Sequence, residues 1–68
     1  SPQVYQDYAK AIRQEYHHVS DIDYQQGRKA VLERFLQRPR LYFSEFFYTK
    51  FEQQARANLS QEIAELSV

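Results

Sequence analysis

Sixty-eight residues, nine basic and nine acidic, with no cysteine, one glycine and two prolines, describe one small domain without disulfides or thiolate metal sites. The balanced charge excludes the broad positive surface that nucleic-acid or anionic-membrane binding needs. No apolar run reaches the length of a membrane span or a signal-peptide core, so neither a nucleic-acid nor a membrane partner is expected, and the lack of cysteine favours a cytoplasmic protein.

Punctuation divides the chain into three helices, predicted over about 2–18, 21–37 and 44–67. Ser1 and Pro2 suit an N-cap and first helical position, after which Tyr5, Tyr8, Ile12, Tyr16 and Val19 recur at three- and four-residue steps. Ser20 with Asp23 three residues on is a near relative of the capping box, and Asp21 favours the positive end of the dipole. This second helix stops before Pro39, which disfavours helical geometry at Arg38, with Arg34 and Arg38 at the negative end. Ser44 then reads as the N-cap of the longest helix, whose apolar positions are Tyr48, Phe51, Ala55, Leu59, Ile63 and Leu66. The fold class is all-α, a small bundle or hairpin in a single segment spanning 1–68.

Helical projection places polar residues on faces that should point inward. In the second helix Arg28 falls among Ile22, Tyr24, Val31, Leu32, Phe35 and Leu36, with Gly27 at the edge, where a missing side chain suits close approach of another helix. In the third, Glu52, Asn58 and Glu62 fall among Phe51, Ala55, Leu59 and Ile63, and in the first Glu15 falls among Tyr5, Tyr8 and Ile12. An unpaired charge on such a face is very costly, so Arg28 is expected to meet Glu15, Glu52 or Glu62 in a structural polar network. A second reading has Arg28 or Arg13 binding a phosphate or carboxylate of a substrate in a cleft shared with another domain, since the guanidinium fork suits oxyanions.

Other patterns carry less. His17 and His18 are adjacent on a helix, point about 100° apart and cannot readily chelate one ion, so no metal site is expected in the chain. Asn58-Leu59-Ser60 matches a glycosylation acceptor pattern but lies mid-helix. A single glycine leaves no phosphate-cradling loop, and no nucleophile, base and orienter fall together, so no catalytic residue is assigned. Eleven aromatics, six of them crowded into "LYFSEFFYTKF", exceed what three short helices can hide, and a covering neighbour is expected.

Three blocks, "IRQEYHHV", "YQQGRKAVLERFLQRPRLY" and "EQQARANLSQEIAEL", resemble in order and spacing the C-terminal helical portion of bacterial proteins described as predicted metal-dependent phosphohydrolases of the HD superfamily. The matching positions are Ile12, Arg13, Glu15 and Tyr16; Tyr24, Gly27, Arg28, Leu32 and Leu36; and Arg38, Tyr42, Glu52, Ala55, Arg56, Asn58 and Leu59. The resemblance implies a longer, all-helical parent in which an upstream His, His-Asp and Asp set holds a divalent metal that activates water against a phosphate ester. Those ligands are not in this sequence: His18 is followed by Val19, not by Asp. The chain is then a non-catalytic C-terminal segment whose partner is the parent's N-terminal HD domain or a second copy of itself. The alternative is a free-standing helical interaction module that forms an oligomer through Tyr and Phe side chains.

Overall fold

A computed structural model describes residues 1–67, and every regular element among them is helical: α1 (Pro2–Glu15), α2 (Asp21–Gln37) and α3 (Glu45–Leu66). Each helix starts where its serine cap lies. Ser1, Ser20 and Ser44 side chains accept from the amides of Val4, Asp23 and Phe47, satisfying one otherwise orphaned N–H apiece. Arg38 before Pro39 is extended, with φ −67° and ψ 142°, and ends α2 as the proline demands.

The first helix is shorter than its apolar spacing predicts, ending at Glu15 and not near residue 18. Its last turn tightens: Tyr16 N–H is shared between Ile12 O and Arg13 O, His17 N–H goes to Gln14 O, and Val19 N–H returns to Tyr16 O. The Arg13 side chain folds over that turn and holds its carbonyls, so local hydrogen bonding overrides the continuing periodicity at Tyr16 and Val19.

Helices α2 and α3 form an antiparallel hairpin, as the pairing of Arg28 with Glu62 near one end and of Leu36 with Arg56 near the other requires. The third element, α1, lies against the far end of α3 through Tyr5 and Glu62. Leu32, 1% exposed, is the one fully buried hydrophobic side chain among the described residues, and beside it the buried positions are Glu52 and Glu62, each 6% exposed. The hairpin therefore closes around charge as much as around hydrocarbon.

The outline is open. A compact chain of this length has a radius of gyration of about 11 Å, against 12.8 Å here, with extents of 39 × 23 × 19 Å. Its accessible surface, 5276 Å², exceeds the roughly 4,500 Å² usual for a monomer of this mass. Among the large apolar side chains left exposed are Phe43, Phe46, Phe47 and Phe51.

Gly27 is not the close-approach point its place on the helical wheel predicts. It is exposed, in ordinary helical geometry, and a Cβ built there meets nothing within 4 Å. Glycine's cost in a helix is thus uncompensated within this chain, and Gly27→Ala is expected to raise the unfolding free energy by about 1 kcal/mol in urea titration. A loss of stability would mean that this face is packed.

Candidate functional site

The polar residues form two separate clusters. At one end of the hairpin the Arg28 guanidinium donates in two-point geometry to Glu62, Nε to Oε2 at 2.8 Å and Nη2 to Oε1 at 3.1 Å. Tyr5, one turn into α1, donates its hydroxyl to the same Oε1 at 2.5 Å. The ion-paired side chains are 12% and 7% exposed, so water contributes little to their solvation. Fork geometry is what allows a charge at a core-facing position, and no polar atom of Arg28 or Glu62 is left buried without a hydrogen-bond partner. Donation to Glu62 holds the Arg28 guanidinium well above its ordinary value, and burial followed by that same carboxylate pushes the Tyr5 phenol upward.

At the other end Glu52 holds the link between α2 and α3. Its carboxylate accepts from the amides of Leu41, at 2.9 Å to either oxygen, and Tyr42, at 3.1 Å, and from Arg56 Nε at 2.7 Å. Arg56, four residues on, uses its remaining nitrogens on the carbonyls of Leu36 (3.0 Å) and Arg38 (2.6 Å), two acceptors left over by the end of α2. Burial pushes the Glu52 carboxyl upward, but the two backbone amides and the Arg56 guanidinium outweigh it and hold the group below the usual carboxylate range.

Arg13 is similarly engaged. Nη1 donates to Tyr16 O at 2.8 Å, Nη2 to Val19 O at 3.1 Å and to Asp21 Oδ1 at 2.6 Å, and the guanidinium stacks 4.5 Å over the Tyr24 ring. It ties α1 to the start of α2. The remaining predicted network members stand apart. Asn58 accepts from Gln54 at 2.8 Å on the α3 surface, and Glu15, expected inside, is exposed because α1 ends there and the chain turns away. Sequence reasoning missed Tyr5 as a second partner of Glu62. It also passed over Arg56 as a site residue, although the Glu52–Arg56 spacing of four was a readable helix-surface pair.

Between α1, the start of α2 and the end of α3 lies an open cleft of about 390 Å³, walled by Tyr5, Ala9, Arg13, Tyr24, Glu62 and Leu66. Tyr24 Oη has no hydrogen-bond partner there, and burial raises its phenol. Of the charged groups on these walls, Arg13, Asp21 and Glu62 are already paired within the chain, whereas Lys10 and Glu65 have no ion-pair partner among the described residues. Among the described residues no group of three His, Asp or Glu side chains is placed to hold a metal ion. The His17 and His18 rings meet edge-on, at 90°, with centroids 5.8 Å apart, and do not converge. Nor is any described helix long and apolar enough to cross a membrane.

The second feature is an aromatic face. Phe43, Phe46, Phe47 and Phe51 are 83%, 65%, 48% and 39% exposed. Their rings are organised: Phe46 meets Phe47 edge-on at 5.3 Å, Phe47 stacks on Phe51 at 5.8 Å, and the half-buried Tyr42 ring supports both Phe47 and Phe51 at 6.4 and 6.0 Å. Because Tyr42 N–H is held by Glu52, the clasp at the link also fixes the base of this face. The arrangement can bind through surface contact; it contains no activated nucleophile and no free acid–base pair.

No family model, curated protein or solved structure matches the chain.

Proposed function

We propose that this chain is the non-catalytic C-terminal helical part of a metal-dependent phosphohydrolase of HD type, packing against the metal-binding domain and giving it a preformed helical buttress. The carrying observation is the inversion of its surfaces: charges are closed inward in two clasps, while four phenylalanines face outward. A part whose two buried glutamates are satisfied within the chain, and whose phenylalanines are left exposed, is suited to be covered by apolar surface. The family resemblance of the three blocks supplies the identity of that neighbour.

In this reading Arg13 and Arg28 hold the fold. Their hydrogen bonds to Tyr16 O, Val19 O, Asp21 and Glu62 leave the substrate phosphate to groups outside this chain, and the divalent metal belongs there too. A second reading, a free-standing module that pairs through the same phenylalanines, draws on the same exposed rings.

The test is direct. The genomic reading frame is followed upstream, the whole polypeptide is produced, and hydrolysis of p-nitrophenyl phosphate is measured with and without added Mn²⁺. The proposal expects an upstream His, His-Asp and Asp set and metal-dependent hydrolysis by the whole polypeptide. A frame without that set, or a polypeptide that has it and hydrolyses no phosphate ester, overturns the proposal.

A further inference from the structure

Helices α2 and α3 are fastened to each other at both ends: Arg28 holds Glu62 with two nitrogens, Arg56 holds the carbonyls of Leu36 and Arg38, and Leu32 is fully buried. The first helix is fastened differently. No residue of α1 is buried; Tyr5, Ala9, Ile12 and Arg13 are half-buried, and Val4 and Tyr8 stay exposed. Among the described residues its one hydrogen bond to α3 is that of Tyr5 Oη to Glu62 Oε1, 57 positions along the chain. The Tyr8 ring adds a looser contact, with the Arg28 guanidinium 5.7 Å from its centre. At the other end of α1, Arg13 reaches no farther along the chain than Tyr24, binding Tyr16 O, Val19 O and Asp21 on the way. That cluster belongs to the turn into α2 and makes it a fixed pivot.

From this asymmetry we infer that α1 is a strap that opens from the α2–α3 hairpin about the turn at Tyr16–Ser20, with the Tyr5 hydroxyl as its latch. Opening gives up the Tyr5 hydrogen bond and the partial cover of Tyr5, Ala9 and Ile12, while Arg28 keeps both of its bonds to Glu62 and no ion pair breaks. Parting α2 from α3 instead would strand the charges of Arg28 and Glu62 and take Arg56 from its two carbonyls. The strap is therefore the element that opens at least cost. Its departure turns the cleft of about 390 Å³ into an exposed groove and brings water to an ion pair whose side chains are 12% and 7% exposed when α1 is closed. A detached helix of 14 residues is marginal in water, so the open strap loses its own hydrogen bonds as well. Elements that move in binding and regulation come from the least stable part of a fold, and here that part covers the molecule's most buried ion pair. Opening needs no neighbour and is independent of the proposed function.

Native-state hydrogen exchange of the 68-residue chain, followed by NMR, tests it. The amides of Ala9 and Ile12 are expected to be protected, but about a hundredfold less than that of Leu32, and with a weaker dependence on urea because opening α1 exposes less surface than unfolding. Two variants separate a strap from a single cooperative unit. Glu52→Gln weakens only the hairpin, so it should lower the protection of Leu32 by roughly tenfold and leave Ala9 and Ile12 unchanged. Tyr5→Phe removes the latch and should lower Ala9 and Ile12 by about tenfold, with Leu32 falling alongside because unfolding the hairpin also frees α1. Ala9 and Ile12 that match Leu32 in protection and urea dependence, or that fall with it in Glu52→Gln, overturn the inference. So do Ala9 and Ile12 amides without protection in the unaltered chain, which would leave no closed state. Protection of α1 that is indifferent to Tyr5→Phe overturns the latch.

Discussion

Glu62→Ala is expected to lower the unfolding free energy by about 3–5 kcal/mol, the cost of leaving a buried charge without its partner. The loss is large because three groups depend on one carboxylate: both donating nitrogens of Arg28 and the hydroxyl of Tyr5. A small helical domain holds little more stability than that, so the variant should be largely unfolded by circular dichroism at room temperature. The triple variant Tyr5→Phe/Arg28→Met/Glu62→Leu is expected to fold as well as the parent sequence or better, since an ion pair replaced by packed hydrocarbon loses its desolvation penalty along with its attraction, and Tyr5→Phe leaves no hydroxyl without its acceptor. Urea unfolding of the two variants side by side checks both halves, and a well-folded Glu62→Ala would show that the cluster is solvated.

Glu52 should govern the link in the same way, but with a pH signature. Its folded-state pKa is depressed, so the stability it contributes is fully present above the ordinary glutamate value of about 4.3 and is lost as pH falls through the lower folded value. The amide resonances of Leu41 and Tyr42, which donate to it, should titrate together with a midpoint below that ordinary value. A midpoint above it would mean that burial outweighs the two amides and Arg56. Glu52→Ala removes the acceptor altogether, and exchange protection of the two amides is expected to fall about a hundredfold. Glu52→Gln keeps an acceptor oxygen and loses the pairing with Arg56, so its loss should be intermediate. Since Tyr42 underlies Phe47 and Phe51, loosening the link should also disturb the aromatic face.

Much of the architecture was legible because it is written in local chemistry. The three serine caps, the acids after Ser20 and the proline after Arg38 act within a turn of their own position, and the helices begin and end accordingly at most of these points. The misplaced arginine was legible too, since hydrocarbon on both sides of Arg28 forces a partner, and the placement of Glu62 on α3's inward face supplies it. What the projection cannot give is which of several inward polar groups share one end of the hairpin. Glu52 and Glu62 lie ten residues apart on α3, nearly three turns, so they serve different ends of α2 and never join one network. Glu15 failed for a different reason: the wheel assumed a helix continuing to residue 18, and Arg13 ends it by capping its own turn. Gly27 likewise pointed to a neighbour that lies outside this chain or does not exist.

Arg28 and Glu62 hold α2 to α3, and under the proposed function they take no part in chemistry. The most direct measurement is kcat/KM for p-nitrophenyl phosphate in the longer polypeptide that the proposed function requires, carrying Tyr5→Phe/Arg28→Met/Glu62→Leu, made beside a check that the fold is retained. A value close to that of the unaltered protein is expected. A fall of about a hundredfold or more with the fold intact, the loss typical when a group stabilising transition-state charge is removed, would contradict it and place Arg28 on the substrate.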